Sequence, residues 1–285
     1  MDIMKKVVLS GGSGLIGTAL ASKLVTSGYE VVILTRNIRS QPRKPGIRYV
    51  EWNAKTSGKW ESELEGADTV INLAGENIGG GLWTKNRKIR ILNSRLAVGN
   101  ALVSAIHKGS KKPELFIQVS AVGAYGISET MKMSENSPIG NDFLSGIAKQ
   151  WEESTKAVES SGIKRATIRT GIVLDLKEGA FSMVLLPFKF YTGGRLGSGR
   201  QWFSWIHLKD EVNAIVFIIE NKLEGVYNLT APHPVRYSEL VSVMSKVLRQ
   251  PNWFPISGFF LHLLLGDMSS LVLDGQQVMN ASSIT

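Results

Sequence analysis

The sequence predicts an α/β protein: a doubly wound parallel sheet with a small lobe built from later parts of the chain. Three observations predict it. Short apolar β runs alternate with amphipathic helical stretches from residue 5 to about residue 174, as crossover connections between parallel strands require. Gly11, Gly14 and Gly17 fall three apart, between the first strand and the first helix. Beyond residue 174 the rhythm breaks, and the segments become apolar or rich in Gly, Arg and Trp.

Lys5 to Leu9 is the first strand, a helix starts at Leu15 with Ala19 and Leu24 in phase, and Val31 to Leu34 is a second buried strand. Gly11 permits the tight turn, Gly14 lets a backbone approach a pyrophosphate, and Gly17 lets the helix pack closely on the sheet. The helix N-terminus offers N–H groups and partial positive charge to phosphates. With strand and helix flanking the glycines, the unit reads as a Rossmann-type dinucleotide site.

Residues 38–46 form a polar loop, Ile47 to Trp52 a third strand, and residues 53–64 a turn-rich connection with Trp60 tucked beneath it. Asp68 to Leu73 is a fourth strand, and the following Gly75 is expected to bring backbone close to the cofactor's adenosine half. Residues 83–107 predict a long helix with Ile89, Leu92, Leu96, Val103 and Ile106 as its buried stripe, and Lys85, Arg87 and Lys88 on a solvated face. Leu115 to Val119 is a fifth strand, residues 142–161 a helix, and Arg165 to Arg169 a sixth strand continued by TGIVL. Further on, residues 210–220 and 237–248 read as helices, Gly225 to Leu229 as a strand returning to the sheet, and 259–273 as mostly helical with a break at Gly266. The expected division is a nucleotide-binding domain over 1–174, completed by about 205–230, and a substrate-binding lobe from 175–204 and 231–285.

Lys plus Arg outnumber Asp plus Glu by 33 to 24, a net charge of +9. The cations are scattered and no nucleic-acid signature accompanies them, so no nucleic-acid partner is expected; an anionic cofactor or substrate is the simpler use of the charge. The absence of cysteine excludes disulfides, thiolate metal sites and a cysteine nucleophile, and no metal site is expected. The first strand starts within a few residues of Met1, which leaves no room for a leader, and the apolar run Phe259 to Leu265 is too short to span a bilayer. A cytoplasmic protein with no membrane partner is expected.

The end of the second strand selects the nucleotide. NAD sites use an acid there to bind the ribose 2′-OH, but this chain has Thr35, Arg36 and Asn37, with Glu30 at the strand's start as the nearest acid. An arginine pairs with a 2′-phosphate where a carboxylate repels it, so NADP(H) is the expected cofactor. Arg95 neighbours the apolar stripe of the long helix and needs an anionic partner, either the cofactor phosphates or an internal carboxylate.

These residues together resemble the extended and atypical short-chain dehydrogenase/reductase superfamily, and within it the NAD(P)-dependent "epimerase family" branch. The resemblance rests on GGSGLIG (11–17), NLAGENI (72–78), SAVGAYG (120–126), RTGIVL (169–174), GSGRQWFSWIH (197–207), GVYNLTAP (225–232) and LDGQQV (273–278), and runs over nearly the whole chain. It implies cofactor contacts at Gly11, Ser13, Gly14, Leu15, Ile16 and Gly17, the 2′-phosphate position at Thr35 and Arg36, and further contacts at Leu73, Ala74, Arg95 and Val173. Many members of the superfamily dimerise through helices flanking the sheet, so the resemblance leaves a homodimer and a monomer both open. Relatives continue past LDGQQV with another strand and helix, so the carboxyl terminus is expected to be shortened.

By the same resemblance, dehydrogenases of this superfamily use a Tyr-x-x-x-Lys pair and a Ser or Thr after the fifth strand, the tyrosine exchanging a proton with the substrate while hydride moves to or from the cofactor. Lys149 stands at the lysine position, but Ser145 replaces the tyrosine and Ala121 the Ser/Thr. Tyr125 either presents its phenol to the pocket or is a packed tyrosine, and Ser120 either binds substrate or ends the strand. Lys149 either holds the nicotinamide ribose or is a surface lysine. Arg195, Arg200 and Trp202, in the glycine-rich stretch, either wrap an anionic small-molecule substrate or form a mobile basic loop. His207 and Asp210 are expected to start a helix, and Arg169 to form a buried ion pair. The sequence therefore supports two readings, an NADP(H)-dependent oxidoreductase or epimerase of a small polar, sugar-like or anionic molecule, and an NADP(H)-binding sensor or interaction protein without turnover.

Overall fold

Apolar runs of four to seven residues supply seven strands: β1 (Lys6–Ser10), β2 (Glu30–Thr35), β3 (Ile47–Glu51), β4 (Thr69–Asn72), β5 (Leu115–Ala121), β6 (Lys164–Thr170) and β7 (Gly225–Leu229). In the computed structural model, which describes residues 4–55 and 57–280, they form one parallel sheet in the order β7-β6-β5-β4-β1-β2-β3. Val8 of β1 lies opposite Val32 of β2 on one side and Val70 of β4 on the other. The order reverses between β1 and β4, which puts the ligand crevice of such a sheet beyond their carboxyl ends.

The helices are α1 (Leu15–Thr26), α2 (Lys85–Lys108), α3 (Phe143–Glu153), α4 (Gly179–Lys189), α5 (Leu208–Glu220), α6 (Tyr237–Leu248) and α7 (Gly258–Leu265). Alternate strand residues feed two cores, one on each face of the sheet. Leu9, Ile33, Ile117 and Ile168 pack with Leu20 and Leu24 of α1 and Ile215 of α5. Val8, Val70 and Phe116 pack with Leu102 and Ile106 of α2 and with Trp52 and Trp60. A separate cluster of Phe181, Phe188, Phe203, Tyr237 and Val241 lies among the later segments.

Three elements differ from the sequence expectation, and a fourth that the sequence left unassigned takes a definite form. The buried stripe of α2 is Ile91, Arg95, Val98, Leu102 and Ile106, whereas Ile89 is exposed; the apolar residues of this helix allow two phases, and packing chose the one that carries Arg95 inward. The helix expected over 142–161 is α3 followed by a 3-10 turn, Lys156–Ser161; at the break Thr155 is fully buried and donates to Gln118 Oε1 at 3.1 Å. TGIVL does not extend β6: a side chain on Gly171 would meet the Ser204 carbonyl at 2.8 Å, and Ile172–Leu174 pairs instead with Trp205–His207. The apolar segment around 178–191 is α4, ending just beyond Pro187.

Late in the described chain, Gln277–Val278 pairs with Lys132–Met133. Residues 281–285, and with them the expectation of a shortened terminus, lie outside the described residues. Among those described, no helix is long and apolar enough to cross a membrane.

Candidate functional site

The glycine-rich turn is built from close approaches. A side chain on Gly11, whose φ is +75°, would sit 2.7 Å from the Leu73–Ala74 backbone, and one on Gly17 would sit 2.6 Å from Gly11 O. Gly12, not singled out in the sequence, is held against the Ile33 side chain at 2.8 Å in the same sense. Gly14 is different: its nearest neighbour is 3.5 Å away, so here the backbone surface is open. It caps α1 with no side-chain hydrogen bond and no acid in the first turn, which leaves the positive end of the helix available to an anion. Ser13 is exposed there, with Leu15 and Ile16 half-buried.

At the end of β2, Thr35 is buried and its hydroxyl accepts from Asn37 N at 3.3 Å, while Arg36 is exposed. Arg36 lines an open cleft of about 430 Å³ with Glu51, Trp52, Asn53, Lys59 and Trp60. The nearest acid is therefore Glu51 rather than Glu30, because parallel pairing sets Glu51 directly beside Thr35. Strand pairing is invisible to a reading along one strand. The cleft still carries two cations against one carboxylate.

Beyond β4 the loop 73–78 is pinned to α2. Glu76 N donates to Ser94 Oγ at 2.9 Å, and Arg87 pairs with the Glu76 carboxylate at 2.9 Å. Arg87 is thus not on a solvated face, and Lys88 pairs with Asp267 at 2.6 Å. Arg95 is 9% exposed; its Nη1 donates to Glu76 O and Ile91 O, both at 3.0 Å, and its guanidinium lies 4.8 Å from the Trp151 ring. Burial lowers its pKa to about 10 against the opposing influence of Glu76. Among the described residues no carboxylate pairs with it, since Glu76 is taken by Arg87 and Arg90. The flat group against Gly75 is this guanidinium, 2.9 Å from where a Cβ would be. Leu73 and Ala74 are half-buried beside it, and Val173 is half-buried in the middle of the Ile172–Leu174 strand.

α3, which carries Ser145 and Lys149, packs on β5 and on the 3-10 turn Val122–Tyr125 that follows it. Of the two alternatives for Tyr125 the structure has the packed tyrosine and not the phenol presented to a pocket: it is 3% exposed, its hydroxyl donates to Asn228 Oδ1 at 2.6 Å, and burial raises its pKa. Ser145, at the tyrosine position, is fully buried and donates to the carbonyl of its own helix cap, Asp142. Lys149 is exposed on α3. Ser120 is 3% exposed and its hydroxyl has no protein partner. Arg169 forms the expected buried pair, bidentate to Glu152 at 3.0 and 2.9 Å. His207 starts α5, its Nδ1 accepting from Lys209 N at 3.2 Å.

Arg200 and Trp202 are occupied within the chain. Arg200 pairs with the Glu129 carboxylate at 3.1 Å, and Trp202 Nε1 donates to the Glu129 carbonyl at 2.8 Å. Arg236, which the sequence did not suggest, stacks 3.8 Å over the Trp202 ring. Arg195 is exposed nearby. Glu211 was also missed. It is fully buried in the first turn of α5 and accepts from Thr170 Oγ1 at 2.8 Å, and burial pushes its pKa up to about 8. Its signal was present: it falls four residues before Ile215 and seven before Ile218, in phase with the buried face of α5.

The model of the NAD dependent epimerase/dehydratase family matches residues 7–168. The chain belongs to this family. It is 38% identical over 281 residues to epimerase family protein YfhF of Bacillus subtilis, covering 98% of this chain and 91% of that one. It is 37% identical over 282 residues to the chloroplastic SDR39U1 homolog of Arabidopsis thaliana, covering 96% and 79%. Among solved structures it is similar to human epimerase family protein SDR39U1 with NADPH, at TM-score 0.86 and 30% identity over 96% of this chain and 90% of that one.

Proposed function

We propose that this epimerase-family protein binds NADP(H) and uses it as an oxidoreductase or epimerase on a small polar molecule. The observation that carries the reading is the open, uncapped N-terminus of α1 beside Gly14, together with a cleft at the end of β2 that holds Arg36 and Lys59. Its human relative was crystallised with NADPH. In this reading Gly11, Ser13, Gly14, Leu15, Ile16 and Gly17 hold the pyrophosphate, and Thr35 and Arg36 the 2′-phosphate. Arg95, Leu73, Ala74, Gly75 and Val173 line the rest of the cofactor, with Lys149 at the nicotinamide ribose. The nucleotide, when bound, supplies a hydride donor or acceptor. The substrate lies under Arg195, Arg200 and Trp202, and the protein works in the cytoplasm without nucleic acid. Calorimetry tests the cofactor: at least tenfold tighter binding of NADPH than NADH is expected, and equal affinities or no heat would overturn it.

A second reading, cofactor binding without turnover, is favoured by the burial of Tyr125 and Ser145. Following NADPH absorbance against a panel of keto- and aldehyde sugars separates the two. Oxidation that Lys149→Ala abolishes supports the enzyme; tight binding with no oxidation by any substrate supports the second.

A further inference from the structure

The later part of the chain carries an apolar surface that the described residues leave uncovered. α7, GFFLHLLL, buries Leu261 but leaves Phe259 80%, Phe260 51%, Leu263 72% and Leu264 54% exposed. Helical geometry places these four on one face. Trp253 and Phe254, just ahead of the helix, are 70% and 48% exposed. The surface reaches the end of α4, because Phe254 N donates to Gly193 O at 3.2 Å and Ile256 N to Arg195 O at 2.8 Å; there Phe190 and Tyr191 are also exposed. Side chains of this size, each exposing on the order of 100 Å², together exceed the few hundred Å² of contiguous apolar surface that a soluble monomer ordinarily tolerates.

Cations accompany this surface. Lys189 and Arg195 bracket the α4 turn, and Lys246 and Arg249 precede Trp253. All four are exposed, and among the described residues none of them forms an ion pair with a carboxylate. Of the acids in these segments, Asp267 pairs with Lys88 and Glu239 accepts from Arg236 N, while Asp274 is partly buried and interacts with His262 of α7. An apolar helix face with aromatic flanks and unpaired cations has the chemistry that lies in the headgroup plane of a bilayer.

We propose that this face docks on an anionic lipid surface, with α7 in the interfacial plane and Lys189, Lys246 and Arg249 against lipid phosphates. A second copy is the weaker occupant, because a two-fold contact through this face would bring the same unpaired cations together. The inference is independent of the cofactor reading.

The test is co-sedimentation of the full chain with phosphatidylcholine vesicles and with vesicles containing 30% phosphatidylglycerol at low salt, with the mass in solution measured by light scattering. At least tenfold stronger binding to the anionic vesicles is expected. Phe259→Ser with Leu263→Ser should lose that binding with the thermal midpoint unchanged. Lys246→Gln with Arg249→Gln should weaken it about thirtyfold, the change that about 1 kcal/mol per cation gives for two. Equal or no binding to the two vesicle types, or binding retained by either variant, overturns the proposal. So does a solution mass of two chains that the Phe259→Ser, Leu263→Ser variant reduces to one, which assigns the face to a second copy.

Discussion

Replacing Glu211 with Gln should make the protein more stable at neutral and alkaline pH. Glu211 has no solvent exposure, and its one hydrogen bond in the structure comes from Thr170 Oγ1. Its other oxygen has no partner among the described residues. Burial raises its pKa from 4.5 to about 8, so the folded protein keeps a proton there that the unfolded chain has released. Between those values the fold binds more protons than the unfolded chain, and stability contributed by this group falls as pH rises. At about 1.4 kcal/mol per pH interval, the loss reaches about 3 kcal/mol at pH 7 and about 5 kcal/mol by pH 8, then levels off. Glutamine keeps an acceptor for Thr170 and has nothing to titrate. Urea unfolding of both proteins at pH 5.5, 7 and 8.5 should show the variant's advantage growing by about 2 kcal/mol from the first pH to the second and by about 1 kcal/mol more to the third. Taking the difference cancels every other titrating group. A stability difference that does not change with pH would refute the argument.

Arg36→Ala should weaken NADPH binding by about 1.5–3 kcal/mol, the value of a charge-assisted hydrogen bond, and leave NADH nearly unchanged, as calorimetry would show. Glu51→Gln should move NADPH affinity the other way, because Glu51 faces the same cleft; the gain should shrink as salt is raised. Gly11→Ala should cost more than about 1 kcal/mol of stability in urea, since its φ of +75° and the Leu73–Ala74 backbone 2.7 Å away both oppose a side chain. Glu152→Gln takes from Arg169 its carboxylate partner, leaving a guanidinium whose side chain is 7% exposed unpaired, and should cost about 3–5 kcal/mol in the same assay. A loss under 1 kcal/mol would show that other groups carry that charge.

What the sequence determined by itself is local or periodic. The seven sheet strands, the glycine turn, the start of α1 at Leu15, the span of α6 and the ion-paired role of Arg169 follow from spacing and residue type, because the side-chain periods of strand and helix are fixed by backbone geometry. Tertiary structure decided what depends on a second segment meeting the first. It chose the phase of α2 that buries Arg95, ended β6 at Gly171 where the Ser204 carbonyl crosses, and set Glu51 beside Thr35. It also turned Tyr125 toward Asn228 and occupied Arg200 and Trp202 with Glu129, two residue groups that sequence distance keeps far apart. The physical reason is that a charge or hydroxyl acquires its chemistry from the burial and partners around it, and those come from residues tens of positions away.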